Sequence, residues 1–175
     1  MYFASFPQII YDAKGTGNFE IATHMLKRVS LRTKVRTNTL LYDTYDVRDG
    51  ESPESIAFKL YGSAEYHWVI LYVNNIVDRY HDWPMSGQQF LEFINDKYDN
   101  PNGIHHYEIA QSSGDTTVKI NIGTDNTDYP SATAITNFEF EENRQDEIRQ
   151  IRLLDPAYVE QFVTEFQSVM KESVL

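Results

Sequence analysis

Between Leu40 and Asn74 the chain marks its own element boundaries, which leaves few folds open to it. Leu40 to Val47 reads as a strand. Ser52-Pro53 follows with an N-cap and a proline at the first helical position, where the missing N–H has no intrahelical partner to lose. Ile56, Ala57 and Leu60 give that helix one apolar side, and Gly62 ends it. Ser63 caps a second helix from Ala64 to about Asn74, which is apolar nearly all round between Trp68 and Val73. Such a helix needs cover on more than one side, supplied by another segment or another protein. Ile56, Leu60, Trp68, Leu71 and Tyr72 are the expected buried set.

The flanks divide into three further stretches. Residues 1–40 form an N-terminal arm: an extended piece from Pro7 to Tyr11, a Gly15/Gly17 turn, a short helix from His24 to Val29, then a basic segment. Within 41–99, a third helix starts at Ser86, where Ser86 and Gln89 make a capping box and Met85 staples onto Phe90. Residues 100–140 are rich in turn formers, and Ile104–Ala110 and Thr116–Ile122 read as a hairpin around Ser112-Ser113-Gly114-Asp115. In 141–175, Ile148, Ile151, Leu153 and Leu154 suggest a strand. Asp155-Pro156 then opens a helix whose Val159, Phe162, Val163, Phe166, Val169 and Met170 form one apolar stripe. The fold class is α+β.

Charge and composition narrow the function. With a net charge of −11, the chain is poorly suited to neutralising phosphates, which excludes nucleic acid as the main partner. Trp68 to Val73 is the longest apolar run and is far too short to span a membrane. No signal-peptide pattern opens the sequence, so the expectation is a soluble protein made in a cytoplasm. The chain has no cysteine, hence no disulfide or thiolate metal site. Twelve tyrosines and ten phenylalanines can fill a core, and they also anchor protein–protein contacts. From Ile21 to Tyr42 there is no acidic residue, whereas Lys27, Arg28, Arg32, Lys34 and Arg36 are basic. This segment is either a solvated face or a patch that docks on an acidic partner, such as a neighbouring copy of the chain.

Catalytic patterns are missing. The five histidines lack the spacing of a helical zinc site, and His105 and His106, adjacent on a strand, are expected to face opposite ways. Asp125-Asn126-Thr127-Asp128 lacks the ligand ladder of a calcium loop. Ala13-Lys14-Gly15-Thr16-Gly17 lacks the ending of a phosphate loop, and no nucleophile elbow occurs. Carboxylate pairs among Glu51, Glu54, Asp78 and Asp82 are expected by chance among 26 acidic residues. Tyr80-His81-Asp82-Trp83-Pro84 is an aromatic corner that either packs on its own domain or stacks on a ring. No catalytic residue, metal, cofactor or small-molecule substrate is expected. The interaction candidates are Lys27, Arg28, Arg32, Lys34, Arg36, Trp68, Tyr72, Trp83, Phe162 and Phe166.

Tyr45, Val47, Gly50, Glu51, Ser52, Ile56 and Ala57 resemble the opening of a LysM module, and Asn74 or Asn75 before Ile76 sits where that family has its asparagine. Pro53 and the Tyr66-His67-Trp68 run depart from peptidoglycan-binding copies. The family's closing strand is not found after Ile76; Ser86-Gly87-Gln88-Gln89 echoes it but reads as a helix cap. Leu60-Tyr61-Gly62, Tyr66 to Leu71, Asn74-Asn75, Asp82 to Ser86 and the Arg149-Gln150-Ile151/Asp155 ending resemble baseplate wedge protein 53 of T-even-type contractile-tailed phages. The resemblance implies a structural, non-enzymatic subunit of the virion tail baseplate, assembled in the host cytoplasm, with a LysM-like βααβ module that binds protein. It further implies a role in joining adjacent wedges into the six-fold ring, with the helical core-bundle subunits and the sheath-initiating subunit as partners. A LysM-type tail protein that binds peptidoglycan is the alternative.

Overall fold

A computed structural model describes residues 5–27, 29–31, 35, 38–115 and 117–172. It is a mixed α+β chain divided into two compact units. The first gathers residues 1–46, 51–79 and 151–175; the second comprises 47–50 and 80–150.

The first unit begins with an antiparallel pair, β1 (Gln8–Tyr11) and β2 (Glu20–Thr23), with Ile10 opposite Ile21. Asp12 shapes the connection, its carboxylate accepting from the Lys14 and Gly17 amides, and Gly17 takes φ +82°. Turn residues Met25 and Leu26 follow β2, so the helix expected over His24–Val29 does not form among its described residues. That segment follows directly on β2 and spans less than two turns, too short to nucleate without packing.

β3 (Tyr42–Asp46), α1 (Pro53–Tyr61) and α2 (His67–Val73) come next, with a 3₁₀ turn at Ala64–Tyr66. The reading of the caps holds at atomic detail. Ser52 accepts from the Ser55 amide while Ser55 Oγ accepts from the Ser52 amide, and Gly62 closes α1 at φ +73°, which a Cβ would strain. Ile56, Ala57, Val69, Ile70 and Val73 are fully buried. Leu60, expected in the core, is 39% exposed, and Trp68, Leu71 and Tyr72, expected there too, are only half-buried, which leaves Ile56 alone of the expected set fully covered. Leu60, four residues after Ile56, lies at the last turn of α1, beyond the buried Ile56–Ala57 patch.

The strand paired with β3 is β7 (Gln150–Leu154), which enters only after the second unit has been traversed. Asn74, just past α2, fastens it. The Asn74 amide donates to the Arg152 carbonyl (2.7 Å) and accepts from the Arg152 N–H (2.8 Å), so one side chain replaces a rung of sheet. The Tyr61 hydroxyl donates to the Leu154 carbonyl at 3.0 Å, and the Asp155 N–H reaches the Leu41 carbonyl. The sequence stretch Ile148–Leu154 is therefore a strand only from Gln150; Ile148 belongs to the preceding helix. α5 (Pro156–Glu172) then lays Val159, Phe166 and Met170 into the core, with the Asp155 carboxylate accepting from the Ala157 amide. Val69, Val73, Leu154 and Val159 form the centre of this unit, bordered by Tyr42, Tyr61, Trp68 and Phe162.

In the second unit, α3 (Gly87–Lys97) starts at the anticipated Ser86/Gln89 capping box. β4 (Ile104–Ala110) is central to a three-stranded antiparallel sheet, flanked by β5 (Lys119–Gly123) and β6 (Thr133–Thr136). β4 and β5 make the expected hairpin. α4 (Asn137–Arg149), which sequence periodicity does not reveal, opens at a Thr136/Glu139 capping box. Its hidden face is partly polar: Glu141 and Gln145 are buried.

Candidate interaction surface

Four of the aromatic residues singled out in the sequence converge in the first unit. Trp68 and Tyr72 are one helical turn apart on α2, and Phe162 and Phe166 are one turn apart on α5. Facing pairs at i, i+4 bring the four rings together. Trp68 lies 4.7 Å from Phe166 and 6.0 Å from Phe162, centroid to centroid, while Tyr72 meets Phe162 and Phe166 edge-on at 5.9 and 5.7 Å. These offset and edge-to-face arrangements are the ones a ring quadrupole favours. Only Phe166 is buried; the other three stay half-buried.

Two clefts flank the cluster. One of ≈ 250 Å³ is lined by Leu31, Val35, Tyr72, Phe162, Phe166 and Val169, with Glu165 as its charged member. The other, ≈ 190 Å³, is bounded by Ser63, Tyr66, Trp68, Val163, Phe166 and Gln167. The arrangement holds aromatic faces beside one mainly apolar recess and one of mixed polarity, which also has Glu65 on its wall, and this suits insertion of a partner's side chains. The Tyr72 hydroxyl donates to the Val29 carbonyl, tying the arm to the helix pair at the cleft wall.

The basic candidates are placed unevenly. The Lys27 ammonium donates to the Met170 carbonyl in the last turn of α5, where the helix dipole favours a cation. Arg28, Arg32, Lys34 and Arg36 lie outside the described residues. Trp83 belongs to the second unit and is only 7% exposed, leaving little ring for a partner, whereas its neighbour Tyr80 is 85% exposed.

The second unit contains a polar core that sequence reasoning missed. Glu141, 1% exposed, accepts from the Lys97 ammonium (2.6 Å) and the Tyr98 hydroxyl (2.8 Å). Burial raises its carboxyl, but these two donors outweigh burial and hold it below the ordinary value. Gln145 accepts from the Met85 amide at 3.0 Å. His105 and His106 do not face opposite ways. A β-bulge between Ile104 and His106 breaks the alternation, so their Nδ1 atoms come within 2.8 Å and His105 stacks on Phe140 at 3.9 Å. His106 is buried and its Nε2 lies 3.0 Å from Glu108. Among the described residues no group of three His, Asp or Glu side chains could hold a metal ion.

The comparisons say in which kind of particle the chain is found. The profile of the family described as base plate wedge protein 53 matches residues 1–126, from the arm through β5. The chain is also similar to the baseplate wedge protein gp53 of Enterobacteria phage T4, 23% identical over 145 residues and covering 74% of each chain. With well over half of its length matched, the chain belongs to the base plate wedge protein 53 family and is a component of the phage tail baseplate.

Proposed function

We propose that the chain is a structural linker that joins neighbouring baseplate wedges into the six-fold ring, and that it binds its partners through the aromatic surface of the first unit. The observation that carries the reading is the convergence of Trp68, Tyr72, Phe162 and Phe166 between a mainly apolar cleft and a second, more polar one. Rigid aromatics next to recesses are the anchors of protein interfaces. The partners in this reading are the core-bundle subunits and the sheath-initiating subunit of its own and the adjacent wedge, and the role is structural, without a catalytic step.

The first unit is read as a LysM-like βααβ module. In support, β3, α1, α2 and β7 follow one another in that order, and Asn74 stands after the second helix, where it fastens the closing strand. The closing strand arrives after an insertion instead of directly after α2. Residues 1–40 serve as an arm to this module.

Val169 tests the proposal because it lines the larger cleft and is 40% exposed, so a change there spares the core. Val169→Glu is expected to leave the melting curve unchanged and to block entry into wedges. Electron microscopy of wedges mixed with wild-type or variant protein reads the outcome. Rings that close equally well without the protein would end the linker reading. Retention of the chain on purified cell wall would then favour the peptidoglycan-binding one.

A further inference from the structure

We infer that Asn102-Gly103 is a self-modification site: a pair able to close to a cyclic imide, which the docked start of α4 holds unreactive. It is the chain's single Asn-Gly step, and it lies wholly within the second unit. Glycine is the neighbour that leaves an asparagine side chain most open to the following backbone nitrogen, because no Cβ shields that nitrogen. Asn102 is exposed and stands in the turn Asn100-Pro101-Asn102-Gly103, which leads into β4.

Packing explains both why the pair is there and why it is held. A Cβ on residue 103 would lie 3.1 Å from the Asn100 carbonyl oxygen and 3.3 Å from the Asn137 side-chain nitrogen, so glycine is required for space. The Gly103 N–H donates to the Asn100 carbonyl at 3.0 Å, and the Asn102 N–H donates to the Asn100 side-chain oxygen at 3.1 Å. The start of α4 closes the other side. The Asn137 side chain donates to the same Asn100 carbonyl at 3.0 Å. The Asn137 N–H donates to the Gly103 carbonyl (2.9 Å) and the Phe138 N–H to the Pro101 carbonyl (3.0 Å). To reach the Asn102 side chain, the Gly103 nitrogen must lose its proton and its peptide plane must rotate. Both break the bond to Asn100, and the rotation pulls Gly103 away from α4.

Once the turn opens, the deprotonated Gly103 nitrogen attacks the side-chain carbonyl carbon of Asn102. A bond forms between these two atoms, the bond from that carbon to the side-chain amide nitrogen breaks, and ammonia leaves, taking up a proton from water in place of the one Gly103 lost. Water then adds to one carbonyl of the imide ring and opens it to aspartate or isoaspartate. No oxidant or reductant is needed. Either product adds a negative charge, and isoaspartate also lengthens the backbone of a turn that has no room to spare. The helix that this turn anchors carries Glu141, whose buried carboxylate depends on staying beside Lys97 and Tyr98. Modification therefore loosens the polar core of the second unit.

The test incubates the full chain at mildly alkaline pH, native or unfolded in urea, and follows Asn102 in a proteolytic peptide by mass spectrometry. Loss of the amide is expected to run more than about tenfold slower in the native chain, because the turn's hydrogen bonds must open first. The product should be a mixture of aspartate and isoaspartate, since the ring opens at either carbonyl. Asn137→Ala, shown to be folded by circular dichroism, should raise the native rate about threefold or more and leave the rate in urea unchanged. Equal rates in the native and unfolded wild-type chain overturn the proposal, with or without the variant. So does aspartate as the sole product, which would mean direct hydrolysis without an imide. A folded Asn137→Ala chain that loses the amide no faster than wild type also overturns it, since α4 would then not be the lock.

Discussion

The two units reach stability by different chemistry. The first is held by aliphatic and aromatic packing, with Val69, Ile70, Val73, Leu154 and Val159 nearly free of solvent, and its polar side chains, such as Asn74, Tyr61 and Tyr72, bond to backbone at the edge of that core. The second buries Glu141, Gln145 and His106 among Trp83, Phe90 and Ile94. An apolar core tolerates small rearrangements at modest cost, whereas a buried polar group is stabilising only while each of its partners stays in place. The first unit should respond to volume, the second to hydrogen-bond partners and pH.

The sharpest test of that contrast is a cavity in the first unit. Ile70→Ala is expected to cost about 2–5 kcal/mol in chemical unfolding, because Ile70 is fully buried. Leu60→Ala, at a position 39% exposed, should cost well under half as much. Equal losses would mean that the two positions are covered alike.

Glu141→Ala in the second unit is expected to cost about 1–3 kcal/mol, since it strands the Tyr98 hydroxyl and the Lys97 ammonium, the latter partly wet. The pH dependence is more telling than the magnitude. The Glu141 carboxyl titrates lower in the folded chain than in the unfolded one, so the unfolded state binds the proton more readily. The stabilisation is then present above the unfolded value of 4.5 and is lost as pH falls from there through the lower folded value. Glu141→Gln should flatten the acid limb of a stability–pH curve followed by circular dichroism. An unchanged acid limb would assign the acid sensitivity to other carboxylates.

Asn74→Ala removes two hydrogen bonds to Arg152 and should cost about 1–2 kcal/mol, with faster amide exchange along β7 than along α1. Uniform exchange would show that Asn74 does not hold the strand. The smallest effects come from two tyrosines. Tyr61→Phe loses the bond to the Leu154 carbonyl and should cost about 1 kcal/mol. The same burial that makes that bond count pushes the Tyr61 hydroxyl up to about 12. The buried Tyr42 hydroxyl has no partner among the described residues, so Tyr42→Phe is expected to be neutral or slightly stabilising in the same melt.

What could be read from the residues follows the same division. Caps and stripes placed α1, α3 and α5, because Ser52-Pro53, Ser86/Gln89 and Asp155-Pro156 act locally and their apolar faces are regular, while Ser63 caps the 3₁₀ turn that leads into α2 and not α2 itself. Four of the aromatic candidates met because they lie one turn apart on their helices. α4 escaped notice although Thr136 and Glu139 signalled its start. Its two buried positions, Glu141 and Gln145, read as surface residues, and an apolar period cannot be found where the hidden face is polar. The bulge at His105 was invisible for another reason: it is set by pairing with β6, a partner some thirty residues away. Pairing of β3 with β7 was beyond local pattern altogether.

That last pairing sets the order of events during synthesis. α2 ends at Val73, and the strand that completes its unit begins at Gln150. The roughly 75 residues between them take on the order of 4–15 s to translate at ordinary elongation rates. Throughout that interval Val69 and Val73 lack Leu154 and Val159, the residues that cover them in the finished unit. The second unit's residues are all synthesised before the first can close, so the nascent chain carries an uncovered apolar helix while its insertion folds. Slow translation or a stall before Gln150 prolongs exposure of that surface, and aggregation during expression should rise with the length of the delay.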